Sequence, residues 1–244
     1  MFIFICTLRS ILATFLFLIW TIFLCILAIV NAVIFRNRKY EDGIVIIWAR
    51  LTCWFYNIEI VTHGLESIPH KGSIFLFNHT SFFDIFSLAA VVPGLRFGAK
   101  IELFKIPIFG AAIRRTGTLP IARSNRQEVF KVYEEAKVRI AAGERFALSP
   151  EGGRFYGQEL SPFKSGPFIF AINSSAMLVP TVIVGAYECL PKGEFLANRT
   201  AWKRKIDVYF LEPVTTVGYN NENRQDLQAH IYQSMNSIWT CKKN

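Results

Sequence analysis

The sequence predicts an α/β fold: a mainly parallel sheet flanked by helices, preceded by an N-terminal hydrophobic segment that anchors the chain to a membrane. Three observations predict it. From about residue 58, short runs rich in β-branched and aromatic residues alternate with helical patterns. Polar clusters follow several of these runs, where open α/β sheets place their sites. The first 35 residues hold a nearly unbroken apolar stretch.

Residues 11–35 form the apolar stretch, with Asn31 its strongest polar interruption. At about 1.5 Å per residue a helix of this length crosses a hydrocarbon core of roughly 30 Å. It exceeds the roughly 7–15-residue apolar core of a cleaved signal peptide. Arg9 precedes it and Arg36, Arg38 and Lys39 follow it. The positive-inside rule therefore places the remainder of the chain in the cytoplasm, at the inner or plasma membrane if the cell is bacterial. Trp48, Trp54, Phe55 and Tyr56, interleaved with Arg50, predict a second, interfacial helix over about 44–56, and a re-entrant helical hairpin fits equally well. The chain thus divides into an anchor, 1–57, and a single α/β unit, 58–244.

Within that unit the predicted strands are 59–62, 73–77, 96–99, 118–121, 145–148, 178–184 and 206–210. The clearest helix is 126–142, opened by a capping box of Ser124 and Gln127 and closed by Gly143. A terminal helix is expected over 221–239. No internal repeat or linker separates two soluble domains.

The composition narrows the partners. With 52% hydrophobic and only 18% charged residues, some apolar surface is expected to be buried in lipid. A formal net charge of +9 favours an anionic partner. The basic residues are scattered as Lys100, Arg114, Arg115, Arg123, Arg154, Lys164 and Lys203 to Lys205, without the dense run of a nucleic-acid arm. An anionic membrane lipid is expected, and no nucleic acid. The five cysteines are odd in number and far apart, with no C-x-x-C pair, which predicts neither a disulfide framework nor a metal site.

The segment 73–84, Ser-Ile-Phe-Leu-Phe-Asn-His-Thr-Ser-Phe-Phe-Asp, is an apolar strand that delivers a polar cluster to its carboxyl end. A helix is expected to begin near Thr80 or Ser81. On one continuous helix His79 and Asp84 would lie about 140° apart. With His79 in the preceding loop and Asp84 in the first turns, the two side chains can meet. Asp84 then fixes the imidazole tautomer and leaves the other nitrogen to take a proton from an external hydroxyl. Considered alone, this spacing also fits a helix cap followed by an acid favoured by the macrodipole.

No G-x-S-x-G elbow or activated cysteine is present, so direct transfer is simpler than a covalent intermediate. Phosphate-loop and dinucleotide fingerprints are absent too, and no cofactor is expected. Two further clusters, Gly117-Thr-Leu-Pro-Ile-Ala-Arg123 and Leu148-Ser-Pro-Glu-Gly-Gly-Arg154, follow predicted strands and end in arginine. A guanidinium forks onto phosphate oxygens, and Gly152-Gly153 lets backbone amides approach an anion.

Asn78-His79-Thr-Ser-Phe-Phe-Asp84 resembles the first motif of the glycerolipid acyltransferase family that includes 1-acyl-glycerol-3-phosphate acyltransferases. Residues 117–123 resemble its second motif, Ser149-Pro-Glu-Gly-Gly-Arg154 its third and Val179-Pro-Thr its fourth. Gly98-Ala-Lys100 with Pro107 and Gly110 resembles the stretch between the first two. The likeness covers about residues 60–215. It implies His79 as general base, Asp84 as its orienting partner, Arg123, Glu151, Gly152 and Arg154 as the acceptor-binding set, and Lys100 and Lys164 as further phosphate-holding positions. Asn78 is expected to support the loop of His79, while Pro180 reads as structural. The implied reaction transfers a fatty acyl group from acyl-CoA or an acyl carrier protein to the sn-2 hydroxyl of a lysophosphatidate, giving phosphatidate. Oxyanion donors are expected among the amides of the helix that follows His79. Gly153 stands where the family commonly has threonine or serine, and Ser149 where a phenylalanine is frequent, departures that bear on substrate preference. Another lyso-acceptor, such as a lyso-ornithine lipid or a different lysophospholipid, and a non-catalytic lipid-binding protein are the competing readings.

Overall fold

A computed structural model describes residues 1–70 and 72–243, Arg126 by its backbone alone; Asn244, the last residue of the expected unit 58–244, lies outside the described residues. Two helices come first, α1 (Phe2–Val30) and α2 (Arg38–Phe55), joined through a π-turn at Asn31–Phe35. Then follow β1 (Ile58–His63), β2 (Ser73–Phe77), α3 (Phe83–Val91), β3 (Leu95–Lys100), α4 (Phe109–Arg115), β4 (Leu119–Ile121), α5 (Arg126–Ala141) and β5 (Arg145–Leu148). The chain closes with α6 (Gly166–Asn173), β6 (Met177–Val184), α7 (Ala186–Cys189), β7 (Arg204–Phe210) and α8 (Arg224–Lys242).

Every expected strand is present, and the sheet runs β1-β7-β6-β2-β5-β3-β4. Its pairings are parallel except between β6 and β7. β2 lies in the middle with every residue buried, which its continuous apolar run requires of a strand covered on both faces. On one face α2 and α3 pack over Phe75, Val179 and Ile206. On the other, α5, α6 and α8 cover Ile74, Phe146 and Leu178. Because β7 runs against β6, the start of β7 reaches the same sheet edge as the carboxyl ends of β2, β5 and β6.

The helix ends differ from expectation in instructive ways. The first helix begins at Phe2 rather than residue 11, so Arg9 lies inside it and not on a flank. The Arg9 guanidinium is held by tertiary carbonyls: it donates to Asn198 O at 2.6 Å, Ala201 O at 3.1 Å and Trp202 O. Ser10 Oγ donates to Ala197 O at 2.6 Å, and farther along Cys25 and Ala28 pack with Ala112 of α4. Both halves of α1 therefore rest on the α/β unit, a contact that charge counting along the chain does not reveal. Its outward side keeps Phe4, Leu8, Phe15, Ile19 and Phe23 exposed. Among the described residues one helix, Phe2–Phe35, is long and apolar enough to cross a membrane.

Asn31, the polar interruption, closes the reverse turn: its Nδ2 donates to Asn37 O at 3.0 Å, and Asn37 Oδ1 caps α2 by accepting from Lys39 N. The second helix starts at Arg38, six residues before the expected 44, because that cap supplies an acceptor for its first turn. The two helices form a hairpin in which Trp48 Nε1 donates to Thr21 Oγ1 at 3.0 Å, and Trp48 itself stacks edge-on against Phe86 of α3. Of the two tryptophans expected at an interface, only Trp54 is largely exposed. A charge cluster around the buried Arg96 fixes the hairpin to the sheet: Arg96 Nη2 lies 2.6 Å from Asp42 Oδ1, and the more exposed Arg38 Nη2 lies 3.5 Å from Glu144 Oε1.

α5 is capped by Asn125, whose Oδ1 accepts from Gln127 N and Glu128 N, and not by the Ser124–Gln127 box; Asn125 is the better-placed acceptor one residue nearer the first turn. The terminal helix is displaced to Arg224–Lys242, because Asn220, Gly218 and Asn223 bond one another in a turn that occupies the expected start.

Candidate active site

The polar segments expected to carry chemistry all leave the same edge of the sheet. Leu76 pairs with Leu148 and Gly98 with Leu119, so the loops after β2, β5, β3 and β4 emerge side by side. Asn78 continues β2 beyond its last ladder residue with its side chain: Nδ2 donates to Ile183 O at 2.9 Å and Oδ1 accepts from Ile183 N at 2.7 Å. This amide does more than shape a turn, since it locks the backbone that presents His79.

α3 begins at Phe83 rather than at Thr80 or Ser81, because those two residues form a turn around Asp84. Asp84 Oδ2 accepts from His79 Nδ1 at 2.9 Å, Thr80 N at 2.7 Å and Ser81 N at 2.8 Å. Asp84 is fully buried, and the His79 side chain keeps 14% exposure. With Asp84 Oδ2 as the acceptor, the ring proton sits on Nδ1 and the free lone pair of His79 on Nε2. The loop-and-first-turn geometry expected from the spacing is therefore the one observed.

The same bonds correct the expected oxyanion site. The amides of Thr80 and Ser81 are spent on Asp84, and that of Phe83 on Ser81 Oγ at 3.2 Å, so none of these three faces a substrate.

The third cluster locks onto the first. Phe155 N donates to His79 O at 2.7 Å, and Glu151 Oε1 accepts from His79 N at 2.9 Å. The other Glu151 oxygen accepts from Ser161 N at 3.0 Å. Glu151 is 7% exposed and holds the His79 backbone with both oxygens committed to main-chain amides. Gly152 adopts φ +72° and its amide bonds Ser149 O. A Cβ there would strike the Lys164 side chain at 2.7 to 2.8 Å, so Lys164 lies directly on Gly152. Arg123 Nη1 would be 3.7 Å from a Cβ on Gly153, which brings the second cluster to the third. Arg154 stacks over the Phe82 ring at 4.4 Å, within the first motif. Gly98 and Lys100 lie at the end of β3; Lys100 is half-exposed and 3.4 Å from Glu102. Pro180 pairs in the ladder with Leu76, a structural position.

Sequence reasoning missed Phe82, Ser161 and the two turn amides. Phe82 lies within the first motif, but its pairing with Arg154 is a tertiary contact that no local signal marks. Ser161 acts through its backbone, which side-chain chemistry does not mark.

Burial pushes the Glu151 carboxyl up to about 7, against the pull of the His79 and Ser161 amides and with a further push from Asp84. Since the folded value lies above the ordinary 4.5, the group contributes stability that is present below about 4.5 and is lost as pH rises through about 7. Glu151→Gln removes this titration and turns an amide donor toward a main-chain amide. In thermal melts the wild-type advantage over Glu151→Gln should be larger at pH 5 than at pH 8; a gap that widens with pH contradicts this account.

Among the described residues no group of His, Cys, Asp and Glu is arranged to hold a metal ion. Comparison with known proteins brings in the rest. A family model described as Acyltransferase matches residues 59–184. The chain is 29% identical over 160 residues to the chloroplastic 1-acyl-sn-glycerol-3-phosphate acyltransferase BAT2 of Brassica napus, covering 64% of this chain and 46% of that protein. It is 26% identical over 231 residues to the 1-acyl-sn-glycerol-3-phosphate acyltransferase of Haemophilus influenzae, covering 93% of each. The chain thus spans under half the length of its chloroplast relatives and nearly all of the Haemophilus protein. The fold is that of the crystal structure of the 1-acyl-sn-glycerophosphate acyltransferase PlsC of Thermotoga maritima, with a TM-score of 0.80, 24% identity and 95% coverage of both chains.

Proposed function

This chain belongs to the acyltransferase family, and on that premise we propose that it acylates the sn-2 hydroxyl of a 1-acyl-glycerol-3-phosphate from an acyl thioester, giving phosphatidate. The observation that carries the reading is the His79–Asp84 pair, held at one sheet edge together with Arg123, Arg154 and Lys164. The cations clamp the phosphate of the acceptor, and Lys100 at the end of β3 extends the same positive edge. His79 Nε2 takes the hydroxyl proton as the alkoxide oxygen attacks the thioester carbonyl. Collapse of the tetrahedral intermediate breaks the C–S bond, and the imidazolium returns its proton to the leaving thiolate. Asp84 stays ionised and stabilises the imidazolium formed between the two transfers. Glu151 and Asn78 position the backbone of His79 from either side.

Direct transfer is supported by the thiols. Cys189, near the site edge, is buried, and burial pushes its pKa up, away from the thiolate that nucleophilic catalysis needs. The proposed donor is acyl-CoA or an acyl carrier protein, both soluble thioesters of the cytoplasm, which supports a position of the α/β unit on that face. We further propose that α1 lies against the membrane with its exposed apolar side, since both of its halves rest on the α/β unit.

The test is the purified protein assayed with lysophosphatidate, lysophosphatidylcholine, a lyso-ornithine lipid and monoacylglycerol as acceptors, with the acyl position of each product mapped. Phosphatidate acylated at sn-2 is the expected main product; preference for any other acceptor overturns the assignment. Arg154→Ala should raise KM for lysophosphatidate roughly tenfold or more, as loss of a charge-assisted hydrogen bond does, and leave monoacylglycerol use near its wild-type level. Equal losses with both acceptors would show that Arg154 serves the fold through Phe82.

A further inference from the structure

We propose that the groove between the end of β6, the start of β7 and the last turn of α8 is a second anion site, which receives the phosphorylated pantetheine arm of the thioester donor. The inference rests on the acyl-transfer reading above. The groove is a cavity of about 450 Å³ lined by Lys203, Arg204, Lys205 and Lys243, with Glu188 the acidic residue in its wall. Val184 and Gly185 contribute the floor.

Its charges are partly answered. Lys203 Nζ lies 2.7 Å from Glu59, and Lys205 Nζ lies 2.9 Å from Asp207. Both pairs are solvent-exposed on the lysine side, which leaves ammonium protons for a further acceptor. Glu188 accepts from Tyr156 OH at 2.8 Å. Arg204 donates from Nη2 to Thr200 Oγ1 at 2.8 Å, whereas its Nε is buried and has no hydrogen-bond partner among the described residues. Lys243 stands over the Tyr156 ring at 4.3 Å. A phosphate in the groove meets the ammonium groups of Lys203, Lys205 and Lys243, while Arg204, on the strand face of Ile206 and Val208, adds its charge from behind.

Position identifies the ligand class. Antiparallel pairing of β6 with β7 puts the groove on the same sheet edge as His79. The two are joined by short links: Phe155 N bonds His79 O, its neighbour Tyr156 bonds Glu188 in the groove wall, and Ser81 Oγ donates to Leu190 O just past α7. In strand order β2 stands between two cationic sets, Arg123 and Lys100 toward β4 and the groove toward β7. The reaction joins two anionic substrates, and one set serves each. Lys205 and Lys243 of the groove lie toward α8, on the sheet face of Asp207 and Tyr209, while Lys203 stands at the border with the α2 and α3 face to which α1 and its exposed apolar side belong. The lipid acceptor belongs to the α1 side, and the water-soluble carrier to the groove.

The test compares the full-length wild type with the double variant Lys205→Glu/Lys243→Glu, using acyl-CoA, acyl carrier protein and the phosphate-free acyl-N-acetylcysteamine thioester as donors. Charge reversal should lower the ratio of kcat/KM for acyl-CoA to that for the phosphate-free thioester about tenfold, with the same direction for the carrier protein and with KM for lysophosphatidate near its wild-type value. Equal losses with all donors, a rise confined to lysophosphatidate KM, or loss of binding to anionic vesicles with unchanged donor selectivity each overturn the site. If the double charge reversal fails to fold, Lys205→Gln/Lys243→Gln must shift the same ratio in the same direction, and an unchanged ratio overturns the site. Wild-type product from the phosphate-free thioester with no donor discrimination in either variant rejects the groove while the acyl-transfer reading stands. Absence of product from every donor in the wild type rejects both.

Discussion

His79→Ala should lower kcat by about 10²–10⁴-fold, the range that general-base assistance supplies. The protein should nevertheless fold, because the contacts that tie residue 79 to the domain are made by its main chain: its N–H to Glu151 and its carbonyl to Phe155 N. Among the described residues the imidazole bonds the side chain of Asp84 alone, and its ring meets Phe77 edge-on at 5.6 Å. Truncation therefore removes the proton acceptor and leaves the turn that carries it. The measurement is steady-state phosphatidate formation by purified variant and wild type, with melting temperatures and membrane recovery recorded in parallel. Turnover within a few-fold of wild type would sink the general-base assignment. A collapse of melting temperature would move the effect from chemistry to folding.

Asp84→Asn should cost a comparable amount, on the order of 10³–10⁴-fold in kcat, the scale seen when the orienting acid of a histidine base is neutralised. The change is nearly isosteric at a fully buried position, and an amide oxygen can still accept from the Thr80 and Ser81 amides. What disappears is the negative charge that stabilises the imidazolium during proton transfer. If Asp84 were only a cap for the turn before α3, Asn would serve almost as well and activity would persist. The contrast with Asp84→Ala makes the assignment sharper. Alanine leaves three donors, His79 Nδ1 and the two backbone amides, without their buried acceptor, at about 1–3 kcal/mol for each unsatisfied group. Asn should thus lose activity with a modest shift in melting temperature, and Ala should lose both. A stable, active Asn variant contradicts the catalytic role.

The strands were legible because each is a short apolar or alternating run, and burial on two faces of β2 leaves no other reading of Ser73–Phe77. Helix starts were less so. Ser124 and Asn125 are both good caps, and only the chain direction entering α5 selects Asn125. At the site, His79 and Asp84 were legible as a spacing, since a loop and a first helical turn can bring positions five apart into contact. Glu151 was legible as an important acid, but its geometry is not set by neighbours in sequence. It reaches His79 N across 72 residues and Ser161 N across ten, so its oxygens serve the backbone. Arg9 illustrates the same limit: an arginine before an apolar run reads as a flank, and carbonyls nearly 190 residues away make it an interior anchor.

By itself, then, the sequence determined the α/β class, the apolar first helix, and the chemical types that cluster after β2, β4 and β5. These follow from periodicity and spacing, which act over a few residues. Tertiary structure alone decided that both halves of α1 rest on the α/β unit, that Glu151 holds the base in place, and that Lys243 lines one groove with residues 203–205 beside the same edge. Those features depend on which strands become neighbours and which polar groups lose water together, and such desolvation is a property of the packed chain.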